Sequence, residues 1–581
     1  MMEPISVKCS MNWWRGLASL TCIWMFSSVA LAATLSGTVT DGKGTPIVGA
    51  IVSLIDGEGR SESVYSGPQG QYQLSTALAG NLEMRFRKRY HEDNTQSLTV
   101  KADGTSTIDA ALPALTDAKA LSDDHSSLSH FSLIDFDKDE KSLFSRGNFA
   151  RDCLTCHQLG NSFTRWQRPA ESWVPTVQRM HGYMANGEQD PIKLRAKILA
   201  DTFVDGALAT SRPEIPIDPM IATAKIYQWS LPGAVVPHDA EYYHANGHIY
   251  ISEMFAGEVI EANLETGKMR HLKVPADGMP AGGVFARNGQ PTPYGLTVPR
   301  APHSLAEGPD GKFYMTDSIG SAVTIFDPAD DSFESHDIEG DAVYPHTIRV
   351  DAKNIAWFSV AFSDHIGRFD PATKKTTLIK LPASPSLSIP GTTVPYGVAV
   401  SPIDGSIWYA KLASDKIGRI DPETLKVTEY DSPVKAPRRQ RFDAAGDLWI
   451  AGFSSGDIAR VDIKTMDAEV FPLPIYAPGE IAAPYALAVH PETQEVWVND
   501  TMLDVSWRFL PNEKRFIAYP MPLRGTYTRD FTFTKEGWAC TANNPIPAAA
   551  LEGGVSELIC IDPGHQEGEA SVASKVASHV H

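Results

Sequence analysis

Over most of the chain apolar and polar residues alternate in short runs that end at Gly, Asn, Asp or Pro, the period-two signature of strands. From Pro237 onward these runs recur as units: "PHDAEYYHANGHIYISEM", "PHSLAEGPDGKFYMTDS", "PHTIRVDAKNIAWFSVA", "PYGVAVSPIDGSIWYAK", "PRRQRFDAAGDLWIAGF" and "PYALAVHPETQEVWVND". Each continues into a further strand such as "DKIGRIDPETLKVTEYD". A period of about 40 to 65 residues with internal turns predicts β-propeller blades. A seventh unit, "YTRDFTFTKEGWACTANN" to "SELICIDPG", lacks its last strand, and "AKIYQWSLP" (224–232) is expected to supply it and close the ring. Seven is the count, with six and eight the alternatives.

The same alternation over residues 34 to about 112, "LSGTVTDGKGTPIVGAIVSLIDGEG" to "QSLTVKADGTSTIDAAL", predicts a small β-sandwich, followed by a polar linker. The period then changes. "PAESWVPTVQRMHGYM" and "DPIKLRAKILADTFV" place apolar residues at helical spacing. The expected fold class is mainly β: a β-sandwich (33–113) whose "GTVTDGKGTPIVGAIVSL" resembles transthyretin-like domains, a linker (114–139), a small all-α domain (140–210) whose short helices around a C-x-x-C-H motif make a minimal cytochrome c domain, and a seven-bladed β-propeller (222–564), with a disordered tail (565–581).

The N-terminus adds a compartment. Lys8 and Arg15 precede "GLASLTCIWMFSSVALA", so residues 1–32 read as a signal peptide cleaved after Ala32, and the mature protein is expected to be periplasmic or secreted. No later apolar run is long enough to span a membrane. The net charge of −19 would repel phosphate, which argues against a nucleic-acid partner. Export leaves Cys153, Cys156, Cys540 and Cys560, of which the last two are expected to form a disulfide.

The segment "NFARDCLTCHQLG" (148–160) offers a redox pair, half a zinc site or a covalent haem. No βαβ context surrounds it, and the other cysteines lie hundreds of residues away. C-x-x-C-H in an exported helical unit is the attachment signature of haem c. Cys153 and Cys156 would form the thioethers and His157 would ligate the iron. For the sixth ligand Met180 is favoured over His181, Met184 and Met220.

In the propeller, a residue opening the first strand of a blade and one closing the second meet at the channel mouth. The first position reads His238, His303, His346, Tyr396, Arg438, Tyr485 and Tyr527. Glu253 and Asp317 close second strands. Three imidazoles with carboxylates suit a second metal ion, iron, copper, zinc, manganese or magnesium, with positions left open for a small-molecule substrate. Candidate catalytic residues are His238, His303, Glu253, Asp317 and Arg438, and candidate metal ligands His238, His303 and His346.

Three resemblances extend this. "GTVTDGKGTPIVGAIVSL" with "GQYQL" resembles carboxypeptidase regulatory-like domains, which implies an accessory module. "RWQRPAESWVPTVQRM" resembles small cytochrome c domains, including those of quinohaemoprotein amine dehydrogenases, which implies Met180 as axial ligand. "PYGVAVSPIDGSIWYAKLASDKIGRIDPET" and "PHSLAEGPDGKFYMTDSIGSAVTIFDP" resemble the streptogramin (virginiamycin B) lyase family, seven-bladed propellers, over about residues 222 to 563. That resemblance implies ester elimination with magnesium, a histidine base and a His/Glu pair. Here His303 and Asp317 have the spacing but not the glutamate, and Tyr527 or Arg529 stands where the blade before His238 would offer a histidine. The leading expectation is a periplasmic haem c redox enzyme passing electrons to a soluble carrier. The alternatives are a metal-dependent C–O lyase or hydrolase with an attached electron carrier, and a non-catalytic ligand-binding propeller.

Overall fold

The computed structural model describes residues 32–183, 189–340, 342–387, 392–544, 546 and 552–564. Residues 1–31 of the expected signal peptide, the expected tail 565–581 and Met184 lie outside the described residues.

The chain is mainly β, built as a propeller-like ring of four-stranded antiparallel sheets. In the first sheet Pro237–Tyr243 pairs with His248–Glu253, then Glu258–Ala262, then Met269–Lys273. Five more sheets repeat this order, with inner strands Pro302–Glu307, Pro345–Val350, Pro395–Val400, Pro437–Phe442 and Pro484–Val489. Second strands such as Phe313–Asp317 and Leu448–Gly452 are buried along their whole length, sealed between neighbouring sheets. Outer strands such as Ser332–Asp337 are largely exposed.

The seventh sheet closes the ring from both ends of the chain. Thr532–Phe533, Ala539–Asn543 and Glu557–Asp562 are completed by Lys225–Ser230, the strand expected from "AKIYQWSLP". Cys540 and Cys560 sit opposite each other in that register and form a disulfide. The inner strand of the first sheet packs on both that of the second and Ala539–Asn543 of the seventh, so the sheets form a closed circle.

The sandwich adds to the same sheet. Its core gathers Val39, Val52, Leu54, Leu74, Met84 and Phe86. Its strand Arg60–Tyr65 pairs along its edge with Lys225–Ser230, making one eight-stranded sheet that runs from the closing blade into the sandwich. Both edges are thereby covered, which removes two templates for aggregation.

Two findings concern helices. Part of the stretch expected as a linker is folded: Ala118–Asp124 and Ser127–Phe131 are helices whose N-termini are capped by Asp117 and Ser126. Leu121, Leu128 and Phe131 are buried there. The helical unit proper, Arg146–Cys153, Ala170–Tyr183 and Gln189–Thr202, has Phe149, Leu154, Trp173 and Phe203 inside. Those residues belong to one continuous apolar cluster with Met254, Ile319, Ala361, Leu412, Phe453 and Met502, each just beyond the second strand of a different blade. The helices therefore cap one end of the ring. Among the described residues no helix is long and apolar enough to cross a membrane.

Candidate functional site at the capped end of the ring

Each of the six complete inner strands opens on a proline, and the pairing slips just after it, between Pro237 and Ala240, Pro302 and Leu305, Pro345 and Ile348, and likewise in the other three. Such a bulge re-aims the side chains within it. The residues following the prolines accordingly gather around the channel. His303 lies between His238 and His346, with ring centroids 3.8 and 4.0 Å away, and His346 is 4.0 Å from Tyr396. The Arg438 guanidinium stands over the Tyr396 and Tyr485 rings at 4.6 and 3.7 Å. Tyr485 and Tyr527 follow at 5.8 Å. Seven blades thus contribute three imidazoles, one guanidinium and three phenols to one buried circle.

Burial governs the charge of this circle. It pulls the His238 pKa down to about 3, reinforced by Arg529 and opposed by Asp239, and holds His303 and His346 well below the ordinary imidazole range. The neutral His238 donates its Nδ1–H to Asp239 at 2.9 Å. Asp239 is gripped in turn by both terminal nitrogens of Arg439, at 2.8 and 2.9 Å, and Arg439 reaches Asp530 at 2.6 Å. Arg349 and Arg441 complete the shell of Asp530. An imidazole held this far below neutrality is a weak proton acceptor, since an effective general base has a pKa near the working pH.

The two carboxylates expected at the mouth are engaged elsewhere. Glu253 accepts from the backbone N–H of Val235 at 3.0 Å and from those of Val236 and Ala256. Asp317 accepts from Ala301 and Gly320 N–H at 2.8 and 2.9 Å and pairs with Arg300 at 3.0 Å. Each ties the turn that follows its strand to the segment that precedes the same blade. Among the described residues no group of three or more His, Cys, Asp or Glu side chains is disposed to hold a metal ion. The three imidazole rings sit side by side, tilted to one another by 42° and 51°, and His346 Nδ1 meets Thr347 Oγ1 at 3.0 Å.

Directly above this circle lies the C-x-x-C-H segment. Leu154 O accepts from the Tyr527 hydroxyl at 2.6 Å, and Thr155 O and Cys156 O face Arg438 and Arg529 in long contacts of 3.5 Å. Arg151 and Gln158 pin the flanks, to Leu412 O at 3.0 Å and to Asp504 Oδ1 at 2.9 Å. Both cysteines are free thiols, with the Cys153 pKa pushed up to about 11 by burial. His157 Nδ1 is held by the Gln158 carbonyl at 2.6 Å.

Of the residues expected as a sixth ligand, Met180 is half-buried on Ala170–Tyr183, while His181 beside it is buried against Arg195. Arg195 Nη1 lies 3.4 Å from His181 Nε2 and 3.8 Å from Cys153 Sγ, so His181 is the residue drawn towards the thiols. Met220 packs near Arg515 at the outer side of the ring. Asp239, Arg439 and Asp530 are not among the expected site residues, and Arg529 is expected only as a residue standing where the lyase family has a histidine. The doubled arginine in "PRRQRF" and the "RD" of "YTRDF" are the only sequence signals they leave.

Residues 288–545 match the model of the virginiamycin B lyase family, and residues 34–113 that of the carboxypeptidase regulatory-like domain. The chain thus carries a virginiamycin B lyase-like domain and a carboxypeptidase regulatory-like domain. Among solved structures it is similar to selenomethionine-substituted virginiamycin B lyase from Staphylococcus aureus, at 15% identity over 58% of this chain and 99% of that one, with a TM-score of 0.45. A streptogramin B lyase structure aligns at 17% identity over 58% and 98%, TM-score 0.47, and YCF48 bound to D1 peptide at 12% over 60% and 96%, TM-score 0.42. No curated protein matches.

Proposed function

We propose that this protein is an exported redox enzyme that carries haem c on Cys153, Cys156 and His157, acts on a small organic substrate at the capped end of the ring, and passes electrons to a soluble periplasmic carrier. One observation carries the reading: the carbonyls of Leu154, Thr155 and Cys156 face Tyr527, Arg438 and Arg529 of the channel circle. A tethered carrier domain with an independent role would need no such seat.

The residues fit the group. The two thiols are unpaired, and the hydrogen bond from His157 Nδ1 to a backbone carbonyl leaves Nε2 for iron, the usual outer-shell arrangement of a ligating histidine. Haem bound there would supply one-electron transfer, at a potential set by whether Met180 or His181 completes the coordination. The chain's own residues would position the substrate through Arg438 and the phenols of Tyr396 and Tyr485, while the helical cap excludes bulk water. A second metal on His238, His303 and His346 is not included, because His238 and His346 turn Nδ1 to Asp239 and Thr347 and, among the described residues, no group of three or more ligating side chains is disposed to hold one.

The test is the haem content of protein exported in a host that matures c-type cytochromes. One covalent haem per chain, lost in a Cys153→Ser/Cys156→Ser variant, is expected; protein exported without covalent haem would refute the reading. A second reading, a C–O lyase, rests on the family match over residues 288–545. It predicts elimination products from an ester substrate with no change in haem oxidation state. The occupied carboxylate of Asp317 and the depressed His238 weigh against it.

A further inference from the structure

Arg438 and Arg529 differ from every other buried arginine around the channel. Arg439, Arg349 and Arg441 share Asp239 and Asp530. Arg438 and Arg529 are 0% and 3% exposed, and among the described residues neither has an acidic partner within ion-pair distance. Both guanidiniums border the Tyr485 ring, with their carbons 3.7 and 6.0 Å from its centroid, so two like charges sit close together out of water. Their Nε and Nη1 atoms are buried without a hydrogen-bond partner, four donor nitrogens in all. Arg438 Nη2 donates to the Tyr396 hydroxyl at 2.8 Å, and otherwise the pair meets only the two long carbonyl contacts to the C-x-x-C-H segment. Stacking on Tyr396, Phe453 and Tyr485 offsets part of the desolvation of Arg438. It leaves the charge and the donors unmet, and groups so placed are ordinarily neutralised and hydrogen-bonded.

We propose that Arg438 and Arg529 together bind a carboxylate in the space between the channel circle and the C-x-x-C-H segment. Guanidinium groups pair with carboxylate and phosphate alike. The carboxylate is preferred here because the rings of Tyr396, Phe453, Tyr485 and Tyr527 surround the pair and would receive the carbon skeleton behind the acid group, whereas they offer a phosphate nothing. The carboxylate has two possible bearers, a haem propionate or an organic-acid substrate. This deepens the reading of the mouth as the working site, and its substrate arm stands whether or not haem is present.

The experiment uses the full-length exported protein and its Arg438→Gln, Arg529→Gln, Arg438→Lys and Arg529→Lys variants, with Arg270→Gln on the exposed outer side of the first blade as control. Benzoate is titrated in by calorimetry, and the reduction potential of any covalent haem is measured on the same preparations. If the bearer is a substrate, benzoate binds the wild type and weakens at least tenfold in both Gln variants but not in Arg270→Gln. If it is a propionate, benzoate does not bind, and the potential moves downward in both Gln variants with the haem still attached. Should a Gln variant fail to fold, the Lys variant keeps the charge but loses the planar fork, and must show a part of the same change. An unchanged potential together with benzoate binding that is absent, or indifferent to both arginines, overturns the proposal. Inorganic phosphate displacing benzoate as strongly as a carboxylate does would overturn the ligand class. A protein without haem fails the haem reading alone, and benzoate binding then decides the site; its absence in that protein overturns it.

Discussion

Replacing His303 with phenylalanine tests the seal of the channel circle. The imidazole of His303 lies between two others at 3.8 and 4.0 Å, and burial, then those neighbours, hold its pKa well below the ordinary 6.5. In the unfolded chain it would titrate normally, so below about pH 6.5 the unfolded state binds a proton that the folded state refuses. The sign follows: the folded-state pKa is depressed, so this contribution to stability is whole above the unfolded pKa and is lost as pH falls. Integrating the linkage from about pH 6 to about pH 5 gives a loss of about 1 kcal/mol for one such histidine. His303→Phe keeps a ring between His238 and His346 and removes the titration. The other depressed histidines, His125, His130 and His181 among them, are common to both proteins and cancel in the difference. Urea unfolding followed by far-UV circular dichroism, with chelator present, should show the wild type losing about 1 kcal/mol more than His303→Phe over that interval. Equal losses would mean that His303 takes up its proton in the folded protein, and the sealed circle would be refuted.

Further outcomes follow from single contacts. Converting Cys540 and Cys560 to serine releases a loop with a sequence separation of 20 in the closing blade; the chain-entropy relation puts the cost at about 3 kcal/mol, and an unchanged melting temperature under oxidising conditions would contradict it. Asp239→Asn removes the charge that faces Arg439 and His238 inside the channel; a loss of about 3 to 5 kcal/mol is expected in denaturant titration, with much of it regained on adding Arg439→Met. Glu253→Gln weakens a carboxylate that accepts from three backbone N–H groups and should cost about 1 to 3 kcal/mol of stability. Under the proposed function it should leave any covalent haem and its reduction by substrate unchanged, whereas a catalytic Glu253 would show a collapse of turnover at normal stability.

What could be read in the sequence was what repeats or alternates. The blades announce themselves because each carries the same proline, turn and apolar run, and "AKIYQWSLP" could be assigned to the last blade because that unit was one strand short. The positions of His238, His303, His346 and Arg438 followed from aligning the units. Their partners did not. Asp239 meets Arg439 across 200 residues of chain, and nothing local to "PHD" or "PRRQ" encodes that pairing. Glu253 and Asp317 were placed at the right ends of their strands, but their use by backbone N–H groups depends on the path of turns that no pattern specifies. The pairing of Arg60–Tyr65 with Lys225–Ser230 is likewise a match of two edges far apart in sequence, and the helices of 118–131 are too short and polar for periodicity to reveal, their only marks being the capping Asp117 and Ser126.

The capped end also bears on the kind of substrate. In an open ring a large ligand could lie across the loops that join second and third strands. Here those loops are already spent: Met254, Ile319, Ala361, Leu412, Phe453 and Met502 are packed under Phe149, Leu154 and Trp173 of the helical unit. A depsipeptide laid over this face would have to displace the helices, and with them the anchors from Arg151 and Gln158 to the ring. Whatever reaches the histidines must therefore be small enough to pass beside the cap or enter from the opposite end of the channel. A small acid held by Arg438 and Arg529 would lie within contact of the segment proposed to carry the haem. Under the proposed function the same cap that leaves no room for a large ester over this face would bring a small substrate beside the C-x-x-C-H segment, and for that reason the oxidative reading is preferred to the lyase reading despite the family match over residues 288–545.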